Sequence, residues 1–311
     1  MKNLRKALEE YLAVRRALGF KLTAAGYVLP DFLSFLHRQG ASHITTKLAL
    51  RWARQPVTVA PAYWAQRLGL VRRFAQYQAA IDPRTEIPPQ GLLPDRYIRK
   101  PPYLYSHREI VRLIEAAKGL PSATGLRPWT YSVLLGLLAV TGMRISEPIA
   151  LDREDVDLTR GVLTVRQTKF GKSRLLPIHP STQRALLSYA RRRDRIHPRP
   201  KTPGFFVSDG GTRLTHWTVR WTFVRLSHQI GLRGPSDRFG PRLHDLRHRF
   251  AVQTLLGWYR AGADVERHLP ELATYLGHAH VTDTYWYLSA APELLRLAAM
   301  RLGPTQGGLP S

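Results

Sequence analysis

Leu4, Leu8, Tyr11, Leu12 and Leu18 recur near a helical period, with Arg5, Arg15 and Arg16 between them. This pattern predicts an amphipathic helix over 3–18, stopped by Gly19. A second helix is predicted over about 23–38 on Tyr27, Val28, Phe32, Phe35 and Leu36, with Pro30 marking its true start or a kink. Thr45-Thr46 caps a short third helix. A fourth, about 60–80, carries Trp64, Leu68, Val71, Phe74 and Tyr77 on one face and Arg67, Arg72 and Arg73 off it. These four make a small all-α domain over 1–81, with the aromatics as its core.

The pattern then breaks. Residues 82–102 hold Pro83, Pro88, Pro89, Pro94, Pro101 and Pro102, which suits neither a helix nor an inner strand. The stretch 82–105 reads as a semi-rigid linker. A second domain, 106–302, opens with Ser106 and Glu109 at capping-box spacing. A strongly apolar helix follows over about 128–140, ending at Thr141-Gly142. Alternating residues at 162–167 and 173–178 predict a β-hairpin around Lys169-Phe170-Gly171-Lys172. Further helices are expected at about 180–196, 216–230, 243–261 and 291–302, with a Gly/Pro loop at 231–241 and a flexible tail over 303–311. The fold class is therefore mainly α with a small antiparallel β-sheet, an α+β arrangement.

Charge narrows the function. The 311 residues hold 47 Lys and Arg against 22 Asp and Glu, a formal net charge of +25. Residues 1–100 carry +11 of it and the remainder +14, so both domains are basic. Such an excess points to a nucleic-acid partner, and it makes Arg67, Arg72 and Arg73 candidate phosphate contacts. Cysteine is absent, which removes disulfides, thiolate metal sites and a cysteine nucleophile. No apolar run is long enough for a membrane span, and the N-terminus lacks an apolar signal segment. A cytoplasmic, nucleoid-associated location is expected, with no membrane partner.

The chemistry gathers late in the chain. Arg144 follows a buried helix and a glycine. Arg247 follows His244 by three residues, so both share a helical face. Two guanidiniums can clamp a phosphate on which charge develops. His248 and Arg249 are expected to point elsewhere. Lys169, at a hairpin tip, can protonate a leaving oxygen, and Lys172 is its rival. Leu276-Gly277-His278 precedes a short segment with Tyr285 and Tyr287, either of which offers a hydroxyl nucleophile. His278 stands near them, and His280 has no assigned role. His244, His248 and His278 lack an accompanying carboxylate cluster, so no metal site is expected. No Gly-Lys-Ser/Thr phosphate loop is present.

Thr141-Gly142-Met143-Arg144-Ile145-Ser146-Glu147, Lys169 in a hairpin, His244-x-x-Arg247, Leu276-Gly277-His278 and Tyr287 together resemble the tyrosine recombinase, or phage integrase, family. The order and the nine-residue step from His278 to Tyr287 are similar to that family's catalytic set. The resemblance implies an integrase-like catalytic domain behind a helical DNA-binding (SAM-like) domain. It implies Arg144, Lys169, His244, Arg247, His278 and Tyr287 as catalytic residues, favouring Lys169 over Lys172 and Tyr287 over Tyr285. Tyr285 and Trp286 then read as core aromatics. The implied activity is cleavage and rejoining of double-stranded DNA at specific sites through a 3′-phosphotyrosyl intermediate, for integration, excision or transposition. No cofactor is needed, because the covalent link conserves the bond energy. The implied assembly is a homo-tetramer on paired sites; the last helix, too apolar to sit in water, docks either on its own domain or, as the resemblance favours, on a neighbouring protomer. The alternatives are a type IB topoisomerase-like relaxing activity and a non-catalytic DNA-binding protein on the same fold.

Overall fold

The computed structural model describes residues 2–95, 101–166, 173–237, 240–288 and 292–301. The chain divides into two compact units, Met1–Lys100 and Pro101–Ser311.

The first unit consists of α1 (Lys2–Ala17), α2 (Thr23–Arg38), α3 (Thr46–Ala53) and α4 (Pro61–Ala79). Phe32, Phe35 and Phe74 are fully buried as expected, and Trp52 joins them, whereas Tyr27, expected on the apolar face of α2, is exposed. The Phe32 and Trp52 rings lie 4.9 Å apart. Truncating either to alanine removes about 3–5 kcal/mol. Helix α2 runs through Pro30 rather than starting there. Leu18, expected on the apolar face of α1, lies just past the helix end and is exposed.

Two of the three arginines assigned to phosphate are structural instead. The Arg67 guanidinium sits 3.8 Å above the Trp52 ring and donates to the Trp52 carbonyl at 3.3 Å. The Trp52 indole donates in turn to Asp31 at 2.9 Å. Cation–π stacking and burial hold this arginine inside. Arg72 donates to the carbonyls of Pro88 and Pro89, both at 2.6 Å. Of the three, Arg73 remains exposed. The bonds of Arg72 also show that residues 82–95, the first part of the expected linker, lie against this unit. The Glu86 amide donates to Ile44 O at 2.9 Å, and its carboxylate accepts from the Thr46 amide at 2.8 Å.

The second unit opens with α5 (His107–Lys118), whose Ser106/Glu109 capping box forms as its spacing predicts. Then come α6 (Arg127–Thr141), the short α7 (Ser146–Ala150), and strands β1 (Val156–Asp157), β2 (Val162–Val165) and β3 (Arg174–Pro177). The strands form an antiparallel sheet in the order β1-β2-β3, with Leu163 opposite Leu176 and Val165 opposite Arg174. Leu163, Val165 and Leu176 face the core while Leu175 faces solvent, the period-two pattern of a half-buried sheet. Helices α8 (Pro180–Ile196), α9 (His216–Gln229), α10 (Leu243–Arg260), α11 (Val265–Leu276), α12 (Thr282–Tyr285) and α13 (Pro292–Arg301) complete the unit. Among the described residues the fold is mainly α with this one small sheet, as expected.

Two apolar clusters organise the second unit. One joins α5, α6, the sheet, α8 and α9. The other joins α10, α11, Tyr287 and Leu294, so the candidate nucleophile is part of a core. Helix α13, expected to dock on a neighbouring protomer, packs on α10 of its own chain. Leu294 is buried in the second cluster, and Arg260 donates to Glu293 at 2.6 Å. The apolar face of α13 is thus covered in cis, while Leu295 and Met300 stay exposed. Among the described residues, no helix is long and apolar enough to cross a membrane.

Candidate active site

Two helices end at the site in left-handed glycines. Helix α6 ends at Gly142 (φ 61°) and α11 at Gly277 (φ 70°), a conformation glycine adopts without steric cost. A side chain at either would force a neighbour to move. A Cβ at Gly142 would lie 2.7 Å from Phe250, and one at Gly277 would lie 2.7 Å from the Arg174 guanidinium. Each glycine turns the chain straight into a candidate residue, Arg144 in one case and His278 in the other.

The C-terminus of α11 collects arginines. The Tyr275 carbonyl accepts from Arg174 Nε at 2.8 Å. The Leu276 carbonyl accepts from Arg247 Nη2 at 2.8 Å, and the Gly277 carbonyl from Arg144 Nη2 at 3.1 Å. A helix end offers unpaired carbonyls and the negative end of the helix dipole, so three successive acceptors fix three cations. Arg247 also donates to Gly142 O at 2.8 Å, tying the two glycine-capped ends together. Glu147 accepts from Arg144 Nη1 at 3.1 Å and from both terminal nitrogens of Arg174, at 3.1 and 2.8 Å. Burial acts to raise the Glu147 carboxyl, but the bonds and charge of Arg174, then Arg144, hold it below the usual carboxylate range.

Three guanidiniums against one carboxylate leave positive charge in a partly enclosed site. Arg247 is almost wholly buried, and burial pulls its pKa down to about 10; contact with Tyr287 opposes the shift and the charge of Arg144 adds to it. At neutral pH it is still a cation. Each guanidinium has five N–H donors, so the carbonyl bonds do not exhaust them. An anion placed here would offset charge that is costly to leave uncompensated.

His244 and Arg247 share a face of α10, as their spacing predicts. His244 is exposed to solvent, with protein packed on its inner side. That packing, then the charge of Arg247, lowers its pKa to about 4. His278 is lowered to about 4 by burial first and by Arg247 and Arg144 next. Both imidazoles are neutral at pH 7 and able to accept a proton. His278 Nδ1 bonds the Thr284 hydroxyl at 2.7 Å.

Tyr287 is 3% exposed and Tyr285 48%. The expected core role of Tyr285 is therefore wrong: two residues on in a helical turn lies across the helix, so when one tyrosine faces inward the other faces out. Trp286 is half-buried against the second cluster. The Tyr287 ring stacks at 5.9 Å on His278, and Tyr287 lies near enough to Arg247 to oppose the lowering of its pKa. His248, expected to point elsewhere, lies 5.5 Å from the Tyr287 ring and 4.7 Å from His244. It follows His244 by four residues, and that spacing returns it to the same face. Lys169 and Lys172 lie outside the described residues. The strand roots beside them are anchored, Arg166 by Asp155 and Arg174 by Glu147. His280 is exposed. Among the described residues, no three His, Asp or Glu side chains are grouped to hold a metal ion.

Sequence reasoning assigned no role to Glu147, Arg174, His248 or Thr284. A carboxylate three residues after Arg144 was a readable signal for Glu147. Arg174 meets it from far along the chain, and no local spacing announces that contact.

The profile of the Phage integrase family matches residues 104–293. The chain is 52% identical to the Sinorhizobium fredii protein y4rB, described as an integrase/recombinase, over 97% of this chain and 98% of that one. It is 32% identical to the tyrosine recombinase XerD of Caulobacter vibrioides, over 93% and 92% respectively. The Tn1549 transposon integrase, solved with transposon right end DNA, shares the fold with a TM-score of 0.67 at 17% identity, over 96% of this chain and 99% of that one. With the arginine-lined site and its buried tyrosine, these matches identify the chain as a member of the phage integrase family, the tyrosine recombinases that cleave and rejoin DNA strands.

Proposed function

We propose that Tyr287 attacks a DNA phosphate held between Arg144 and Arg247 and becomes linked to the 3′ end. The phosphorus–oxygen bond to the 5′ side breaks, and Lys169 gives that oxygen its proton. His278 or His244, both neutral, takes the tyrosine proton. Charge on the non-bridging oxygens rises in the transition state, where preorganised guanidiniums act most strongly. Reversal with the 5′ hydroxyl of another strand completes an exchange, so bond energy is conserved and no cofactor is consumed. The helical unit would bind the same duplex through its surface cations, and four protomers on paired sites would coordinate the exchanges. The outcome is site-specific recombination that integrates, excises or transposes a DNA element.

The observation that carries this reading is the burial of Tyr287 with its ring stacked on His278, one residue past the carbonyls that fix Arg144 and Arg247. The test is covalent capture. The protein is incubated with fragmented genomic DNA and denatured, and the attached peptide and DNA ends are sequenced. Attachment at Tyr287 through a 3′ phosphate is expected. Attachment elsewhere, or none, would overturn the assignment. Plasmids with one captured site or two then separate relaxation from recombination.

A further inference from the structure

Thr284 lies between the two groups that the proposed chemistry needs. Its side-chain oxygen is 2.7 Å from His278 Nδ1. Its main-chain carbonyl accepts the Tyr287 amide at 3.0 Å. The residue is wholly buried. A buried hydroxyl without a partner costs about 1–3 kcal/mol, and packing alone would be met by valine, which has nearly the same shape. The hydroxyl therefore has a task besides filling space.

We infer that Thr284 is a positioning residue that sets the His278 imidazole and the Tyr287 main chain in one fixed relation. One imidazole nitrogen is engaged by the hydroxyl, which fixes both the ring orientation and the tautomer offered to the substrate. The carbonyl bond places Tyr287 one turn further on, so its ring stacks on the same imidazole at 5.9 Å. His278 stands on the turn after Gly277, and a ring on a short turn rotates unless something grips it. Thr284 supplies that grip from the segment that bears Tyr287, so base and nucleophile move as one body.

The inference rests on the reading of His278 and Tyr287 given above, and its test separates the two. The probe is a nicked duplex carrying the sequence recovered by covalent capture, and the readout is the single-turnover rate of covalent attachment. Thr284→Val removes the hydroxyl and should slow attachment by on the order of tenfold to a hundredfold, part of what a positioned acid–base group supplies. DNA affinity should be unchanged. Thr284→Ser, which keeps the hydroxyl, should restore most of the rate. In a His278→Ala background the valine substitution should cost nothing further, because its effect passes through the imidazole. A Thr284→Val protein as fast as wild type overturns the inference. So does an equal slowing in the His278→Ala background, which would make Thr284 a fold element alone. If Thr284→Val does not fold, Thr284→Ala measured in both backgrounds gives the same comparison. Failure of the wild-type protein to attach DNA would sink the Tyr287 assignment instead.

Discussion

Arg144 and Arg174 donate to the same carboxylate, that of Glu147, although they belong to different elements. Arg144 comes from the turn after α6 and Arg174 from the first position of β3. One buried acid thus joins a candidate phosphate ligand to the start of β3. Removing it should be costly, because two guanidiniums would lose their counter-charge. Glu147→Gln is expected to lower stability by about 3–5 kcal/mol, the range for breaking a buried ion pair, and to reduce DNA cleavage with it. Urea denaturation and a cleavage assay check both. A variant as stable as wild type would show that α11 carbonyls alone hold the cluster.

The nucleophile assignment separates two tyrosines by burial. Tyr287→Phe removes one oxygen from a packed ring and should abolish covalent attachment with DNA binding retained. Tyr285→Phe changes an exposed side chain and should stay active. Attachment by Tyr287→Phe beside its loss in Tyr285→Phe would reverse the roles.

The sequence was most legible where a local rule governs. The capping box at Ser106, the hairpin alternation and the shared face of His244 and Arg247 all follow from spacings within one element. Arg67 was misread because an arginine off a helical stripe normally meets water, and only the tertiary approach of Trp52 makes it a core residue. His248 was misread by judging it from its neighbour Arg247 instead of from His244, one turn back. Arg174 was invisible for a different reason: its partners Glu147 and Tyr275 are 27 and 101 residues away.

The leaving-group role of Lys169 has a chemical signature. A normal 5′ oxygen needs a proton to depart, while a 5′-bridging sulfur does not. Lys169→Ala should therefore fail on ordinary DNA and recover on the sulfur-substituted duplex. Arg144→Ala should be slowed by several orders of magnitude on both, since it removes transition-state charge stabilisation. Recovery of Lys172→Ala in place of Lys169→Ala would move the acid to that residue.

Two histidines make stability depend on pH. His244 and His278 fall to about 4 in the folded protein against 6.5 when unperturbed. Between those values the unfolded chain binds protons that the folded one does not, so stability drops as pH falls from 6.5 toward 4 and rises again toward neutrality. Urea midpoints at pH 7 and pH 5, at fixed ionic strength, should decrease in wild type. The decrease should be smaller in a His244→Asn/His278→Asn variant. Identical slopes in the two proteins would remove the histidines as its cause.

Helix α13 has two faces, and they predict different defects. The inner face buries Leu294 in the cluster that contains Tyr287, so it should matter to a single chain. Leu294→Ala is expected to cost about 2 kcal/mol or more, as a large-to-small change in a core. Because the cavity opens in the cluster that holds the tyrosine, it should also slow attachment on a single site. The outer face carries Leu295 and Met300 in solvent, where truncation leaves monomer stability within about 0.5 kcal/mol. Apolar side chains held out on a terminal helix suit contact with a neighbouring protomer. A Leu295→Ser/Met300→Gln protein should bind and cleave a single site normally yet assemble poorly on paired sites. Thermal unfolding of dilute protein tests the inner face, and analytical ultracentrifugation on paired-site DNA tests the outer one. Unchanged unfolding in Leu294→Ala would mean that cis docking adds nothing to the fold. Unchanged assembly in the outer-face variant would leave the neighbouring protomer to be held by other surfaces.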